Sequence, residues 1–334
     1  VKDHFKIKSL KSFNIEHKKQ AVKASSALLG YLKHTQKSNV SHIKNILEIQ
    51  NSNTVGINRA TITNLELFST IKEGSKKGTL LYYLDQTTTA MGARLLKNWL
   101  IKPITNQNEL NDRYETINYY IKNDTIKNKS LDLLKGISDI ERLLSKISFN
   151  VANPRDVDNL SYSLKNSIEL LKINSQCGFL NITNKYDDLL NLVTHINKSL
   201  INDPPLDAKS GGFIKKGISS KLDELNKTIF DTKGLITKLE DQEKQKTGIS
   251  SLKIKFNQVF GYYIEITKSN LSLVPKHYIR KQTMVNAERF ITDDLKKHEE
   301  IILSAQQIAK QIEYDMFLDL CQTINNLSSE IQYL

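Results

Sequence analysis

Two long stretches without a proline constrain this chain more than any other feature. Residues 219–248 carry Leu222, Leu225, Ile229, Ile236 and Leu239 at near-heptad spacing. Residues 293–330 repeat the pattern with Leu295, Ile302, Ala305, Ala309, Ile312 and Met316. Apolar residues recurring at this period mark one narrow face of a helix. At ~1.5 Å per residue, the two stretches predict helices about 45 and 55 Å long. A helix with so narrow an apolar stripe gains its stability from a packing partner. The economical arrangement is an antiparallel hairpin in which each helix covers the other. Ser220 with Asp223 reads as a capping box opening the first arm.

The residues between the arms have a different period. In KIKFNQVFGYYIEI, residues 253–266, Ile254 and Phe256 alternate with Lys253, Lys255 and Asn257, as in a half-buried strand. Asn257 to Gly261 supplies a turn or bulge. Tyr262, Ile264 and Ile266 then make a second run against Tyr263, Glu265 and Thr267. Pro275 interrupts, and residues 278–292 read as further strand. The expectation is three short strands forming a small antiparallel sheet at the hairpin tip, with Leu252, Ile254 and Phe256 holding it together. Tyr262 and Tyr263 are expected to pack rather than stack on a ligand.

Upstream, residues 107–200 read as helix after helix. In NPRD, Asn153 is a helix cap, Pro154 the first helical residue and Asp156 a first-turn acid. Val157, Leu160, Leu164, Ile168 and Leu171 follow as one stripe. Residues 54–72 pass from β-branched residues into a short helix, and GSKKGT at 74–79 is a turn. Thr87 or Thr88 then caps a helix in which Met91, Leu95 and Trp99 share a face, ended by Pro103. Trp99 is expected in the core. Residues 202–207 and 209–217 make the longest break in the helical pattern. Residues 1–40 form a basic segment leading into a helix with Ala24, Leu28, Leu29, Tyr31 and Leu32 at helical spacing.

Charge adds a functional clue. The 334 residues carry a formal net charge of +12. Residues 249–292 hold seven Lys and Arg against two acids, a net +5. The ascending arm, 219–248, balances six lysines with six acids, and residues 293–330 net −5. A basic patch on a neutral-to-acidic stalk points to phosphate contact, in which Lys and Arg release counterions and Asn and Gln add hydrogen bonds. A solvated edge guarded by lysines against aggregation is the plainer alternative. No GxxxxGK[ST], GxSxG or HRD occurs, and GSKKGT and GGFIKKG lack the glycines of a phosphate cradle. Asp187 and Asp188 are adjacent and diverge on a helix. Cys177 and Cys321 form no CxxC pair and read as reduced structural thiols, and the histidines, His195 and His298 among them, lack metal-site spacing. No apolar run approaches a membrane span and no signal-peptide core opens the chain, so an intracellular, cytoplasmic protein is expected.

FNQVFGYYIEITKSNLSLVPKHYIRKQTMVNAERFIT resembles the clamp of the MutS family of DNA mismatch repair proteins. LDQTTTAMGARLLKNWLIKPI, NPRDVDNL and INDPPLDAKSGGFIKKGISSKLDEL resemble successive segments of that family's lever, in order. The resemblance implies a mainly α fold. It has a multi-helical lever with a long antiparallel helical hairpin carrying a small β-sheet clamp. Residues 1–40 correspond to the end of the connector domain and a linker helix, and 41–248 to the lever, including the ascending arm 219–248. Residues 249–292 correspond to the clamp, and 293–334 to the descending helix, which stops before the ATPase domain. No Phe-x-Glu of the family's mismatch reader occurs in the chain.

The resemblance implies a non-catalytic piece with no cofactor of its own, ATP and Mg belonging to the missing ATPase domain. Double-stranded DNA is the implied partner, held through its backbone. A homodimer of the full-length protein and a MutL-type protein are further implied partners. Asn257 and Asn286 match polar clamp positions that contact backbone. Lys253, Lys255, Lys268, Arg280, Lys281 and Gln282 complete the expected DNA-facing set, with Asn257, Arg280, Lys281 and Asn286 ranked first. Arg289 is expected to pair with Glu288 or a stalk acid, or else to join the set. Other readings are a helical interaction module whose tip binds a protein, and a recombination-type homologue lacking mismatch recognition.

Overall fold

The computed structural model describes residues 1–334 except 6, 8, 11, 12, 14, 37–42, 44, 47–53, 176–185, 258 and 260. Cys177 therefore lies outside the described residues. Thirteen α-helices and one four-stranded antiparallel sheet are formed among those described. The residues fall into two compact units, 1–86 with 95–115, and 87–94 with 116–334.

The first unit contains α1 (Lys2–Phe5), α2 (Lys19–Gln36), α3 (Arg59–Asn64), α4 (Leu80–Leu84), most of α5 (Ala90–Ile101) and the start of α6 (Gln107–Lys122). Leu10, Ile15, Leu29 and Leu67 are buried here, whereas Leu28 and Tyr31 of α2 are exposed. Trp99 is not in a core. It is 40% exposed, and the Arg113 guanidinium lies 3.6 Å from its ring centroid. Indole is the strongest cation acceptor among the aromatic side chains, so a wet edge under a cation suits it.

The second unit holds α7 (Asp124–Lys135), α8 (Ile140–Ser148), α9 (Pro154–Asn174), α10 (Asp187–Ser199), α11 (Ser220–Thr247), α12 (Asp293–Asn326) and α13 (Ser328–Tyr333). Asn153 caps α9 as expected: its side chain accepts from the Asp156 amide at 2.9 Å, and the Asp156 carboxylate accepts from the Asn153 amide at 3.1 Å. Val157, Leu160, Leu164 and Ile168 are buried against Leu189, Leu192, Ile196, Phe213 and Ile324. Two caps differ from expectation by one residue. Thr89, not Thr87 or Thr88, accepts from Gly92 at the start of α5. Ser219, not Ser220, accepts from Leu222 at the start of α11, and Asp223 turns to the Gly217 amide at 2.9 Å. Neighbouring hydroxyls are interchangeable by type, and the path of the incoming loop selects among them.

α11 and α12 form the antiparallel hairpin. Leu222, early in α11, and Phe317, Leu320 and Ile324, late in α12, belong to the main core. Ile236 and Leu239, late in α11, join Leu295 and Ile302, early in α12, in a second core beneath the sheet. Gly248 ends α11 at φ +70°, the left-handed cap that glycine favours.

The sheet has four strands rather than three. β1 (Lys253–Asn257), β2 (Gly261–Thr267), β3 (Ile279–Thr283) and β4 (Ala287–Ile291) lie in the order β1-β2-β4-β3. Residues 278–292, read as one run, are a hairpin. Its turn is closed by the Met284 amide donating to the Ala287 carbonyl at 2.9 Å. Without a Gly or Pro in Met284–Asn286, the sequence gives little signal of the reversal.

Candidate nucleic-acid interface

Strand register sorts the sheet's side chains into two faces, because residues directly opposite share a face. Ile254 pairs with Ile264 and Ile264 with Phe290. Ile264 and Phe290 belong to the second core with Leu252, Ile266 and Tyr278, and the partly buried Ile254 packs against it, so this face lies on the helical arms. Stalk carboxylates fasten it. Glu240 accepts from the Ile254 amide at 2.8 Å and Glu243 from the Tyr278 hydroxyl at 2.6 Å, both from α11. Glu299 of α12 accepts from the Tyr262 amide at 3.3 Å. Phe256 does not join the core; it is 50% exposed, tilted against Tyr262 with ring centroids 5.0 Å apart.

Burial tends to raise the Glu243 carboxyl, but the Tyr278 hydroxyl and the Lys246 ammonium outweigh it and hold the group below its usual value. Glu240 is likewise lowered: burial opposes, while Lys244 and the Ile254 amide prevail. Burial raises Glu299, and burial with the bond to Glu243 raises Tyr278.

The opposite face carries a polar row across all four strands. Lys255 of β1 donates to Glu265 of β2 at 2.7 Å. The other Glu265 oxygen lies 3.9 Å from Arg289 Nε of β4, beyond hydrogen-bond reach, which leaves that buried nitrogen without a hydrogen bond among the described residues. Arg289 donates from a terminal nitrogen to Gln282 of β3 at 2.8 Å. Its guanidinium centres 4.3 Å from the Tyr263 ring. The expected pairing of Arg289 with Glu288 or a stalk acid is not found among the described residues; Arg289 is instead locked within the sheet, with Glu265 as its acidic neighbour. Tyr263 packs beneath it, 4% exposed. The Lys255 ammonium beside Glu265 is held above its usual value.

The sequence-selected residues separate into three groups. Lys255, Gln282 and Arg280 are engaged inside the sheet, Arg280 with Glu288 at 3.5 Å. Asn257 is half-buried and its side-chain carbonyl accepts from the Val259 amide at 2.7 Å, a turn-shaping role. Lys253, Lys268, Lys281 and Asn286 are exposed. Lys281 is the extra residue of a bulge between Arg280 and Gln282, which turns it out of the pairing. Asn286 lies in the β3–β4 turn, and its carbonyl accepts from the Lys268 amide at 3.2 Å. That bond brings Lys268 and Asn286 together beside the Thr267–Ala287 pair, at the opposite end of β2 from the Asn257–Gly261 pair. The eight residues are not one cluster.

One feature lies outside the sequence reading: Val285 and Val259, 85% and 79% exposed, stand on the two hairpin turns. Positive charge is not confined to the sheet, since the basic segment that opens the chain extends over residues 1–44 with ten lysines against two acids. Among the described residues no helix is long and apolar enough to cross a membrane.

The family model for MutS domain III matches residues 60–334, and that for MutS domain II matches residues 1–44. The DNA mismatch repair protein MutS of Halothermothrix orenii is 41% identical over 321 residues, 95% of this chain and 36% of that protein. MutS of Alkaliphilus oremlandii is 41% identical over 96% of the chain and 37% of its own length. MutS of Acetivibrio thermocellus is 39% identical over 94% and 36%. The chain thus spans little more than a third of these curated relatives.

Proposed function

This chain belongs to the MutS family, and from that premise we propose that residues 249–292 are a clamp that holds duplex DNA by its backbone, coupled through α11 and α12 to the rest of a mismatch repair protein. The observation that carries the reading is the charge contrast: a sheet of net +5 mounted on a hairpin whose arms are neutral and acidic. The exposed members, Lys253, Lys268, Lys281 and Asn286 with the loosely paired Arg280, supply point charges and donors suited to phosphate. Among the described residues no row of Asn, Gln or Arg is organised to read base edges, so grip without sequence preference is the expected behaviour.

The mechanism follows from the fastening. Glu240, Glu243 and Glu299 tie the sheet's inner face to both arms, so a relative shift of α11 and α12 reaches the sheet through hydrogen bonds rather than through a flexible joint. The same reading puts a homodimer's two clamps on one duplex in the cytoplasm, with a MutL-type protein as a further partner. ATP and Mg act in a domain outside residues 1–334. No GxxxxGK[ST] occurs in the chain, so no step here runs through nucleotide.

The test is duplex binding by the intact protein at two salt concentrations. Arg280→Glu with Lys281→Glu weakens binding and flattens its salt dependence; unchanged binding and slope rejects the clamp. A protein-binding tip is the second reading, favoured by exposed Met284 and Val285 on the β3–β4 turn. It predicts that the charge reversal leaves DNA retention untouched.

A further inference from the structure

Residues 249–292 contain only two acids, and each lies against a cation of the sheet: Glu288 near Arg280, and Glu265 between Lys255 and Arg289. Glu265 is the more centrally placed. Its Cα partners are Lys253 on β1 and Arg289 on β4, and its side chain bonds Lys255, the neighbour on the same face.

We propose that Glu265 limits the strength with which this sheet grips duplex DNA, by keeping the Lys255 ammonium occupied and by setting a negative charge among the outer-face cations. The proposal rests on the clamp reading above. A purely structural role for the pair is weak. The Lys255 side chain is 46% exposed, and an exposed ion pair contributes little to stability. Arg289 owes its position chiefly to Tyr263 beneath it and to Gln282 beside it, since Glu265 is beyond hydrogen-bond distance. The same pair has a larger consequence for binding. Each phosphate that a cation neutralises changes the salt slope on B-DNA by ~0.9. Lys255, on a flexible four-carbon stem, is free to exchange carboxylate for phosphate, but must give up Glu265 to do so. Arg289, stacked and 13% exposed, is not free to move in the same way. Two of the sheet's cations are thereby moderated, which suits a non-specific grip that must be released.

The experiment measures duplex affinity of the intact protein from low to high salt for Glu265→Gln, with Glu265→Thr as a second variant suited to a strand, each checked for an unchanged melting profile. Glu265→Gln is expected to tighten low-salt binding about three- to tenfold and to steepen the salt slope by ~0.9, one added phosphate contact. In a Lys255→Gln background the slope change is expected to vanish, because the released ammonium is gone. If both Glu265 variants leave affinity and slope unchanged while Arg280→Glu with Lys281→Glu weakens binding, this proposal is wrong and the clamp reading stands. If the charge reversal also changes nothing, the clamp reading fails and takes this proposal with it. A purely structural Glu265 would move the melting profile and leave the salt slope alone.

Discussion

The phenolic oxygen of Tyr278 donates to Glu243 at 2.6 Å, and both residues are buried. One belongs to the segment entering β3 and the other to the last turns of α11. The bond therefore ties the sheet to its stalk across 35 residues of chain. A buried carboxylate needs partners, and Lys246 at 2.9 Å supplies the second.

Tyr278→Phe leaves Glu243 buried with one partner fewer. Hydrogen bonds to charged groups contribute about 1.5–3 kcal/mol, and loss of that order is expected in urea unfolding. Glu243→Gln in the Tyr278→Phe background is expected to cost less than in the native one. Additive costs would show that the two groups do not interact.

Stability of the sheet–stalk junction depends on pH in both directions. Glu243 and Glu240 sit below their usual value of 4.5, so the stabilisation they provide is present above 4.5 and is lost as pH falls through their lower folded values. Glu299, raised by burial, works the other way and blunts the acid loss. Tyr278 is raised above its usual 10.0, so its contribution is complete below pH 10 and declines above it. Melting temperature against pH is expected to be flat at neutrality and to fall at both ends. In Tyr278→Phe the alkaline fall is expected to be smaller; an unaltered alkaline limb would contradict the assignment.

Gly261 begins β2 at φ +72°, and a Cβ there would overlap the Glu299 carboxylate. Gly261→Ala combines backbone strain with this collision, and a loss of at least about 1–2 kcal/mol is expected. Gly261→Ala is expected to cost less in a Glu299→Ala background than in the native one, because the collision is then absent, while Glu299→Ala by itself gives up the bond to the Tyr262 amide. Thermal melts of the two single variants and the double decide it, and an equal cost of Gly261→Ala in both backgrounds excludes the collision.

Arg289→Lys keeps the charge but abandons the stack on Tyr263 and the fork that reaches Gln282. About 1 kcal/mol of stability is expected to go, with the salt slope of duplex binding unchanged. Equal stability with an altered slope would make Arg289 a phosphate contact rather than a lock.

At the other end of the second unit, Asn153→Ala removes a cap that bonds the Asp156 amide. Ncap substitutions of this kind cost ~1 kcal/mol. Ser or Asp at the same position should recover most of it in thermal unfolding, and failure to do so would mean that the cap bond is not what Asn153 contributes.

Local information was enough for much of this fold. The stripes of α11 and α12 and the Asn153 cap were legible because each depends on residues a few positions apart. The +5 of the sheet was equally legible, since charge needs only counting. What the sequence could not settle was which charges are available. That Lys255 is taken by Glu265, that Gln282 serves Arg289, and that Lys281 is turned out by a bulge all follow from strand register. Register is decided by four strands pairing over the apolar surface of two helices. Trp99 and Phe256 were misplaced for a related reason: apolar periodicity identifies a face, but burial requires a neighbour to cover it. The sequence by itself determined helices, strands and total charge, all local or additive properties. The tertiary structure alone decided pairing and exposure, because ion pairs and buried contacts depend on distances of a few ångströms between residues far apart in the chain.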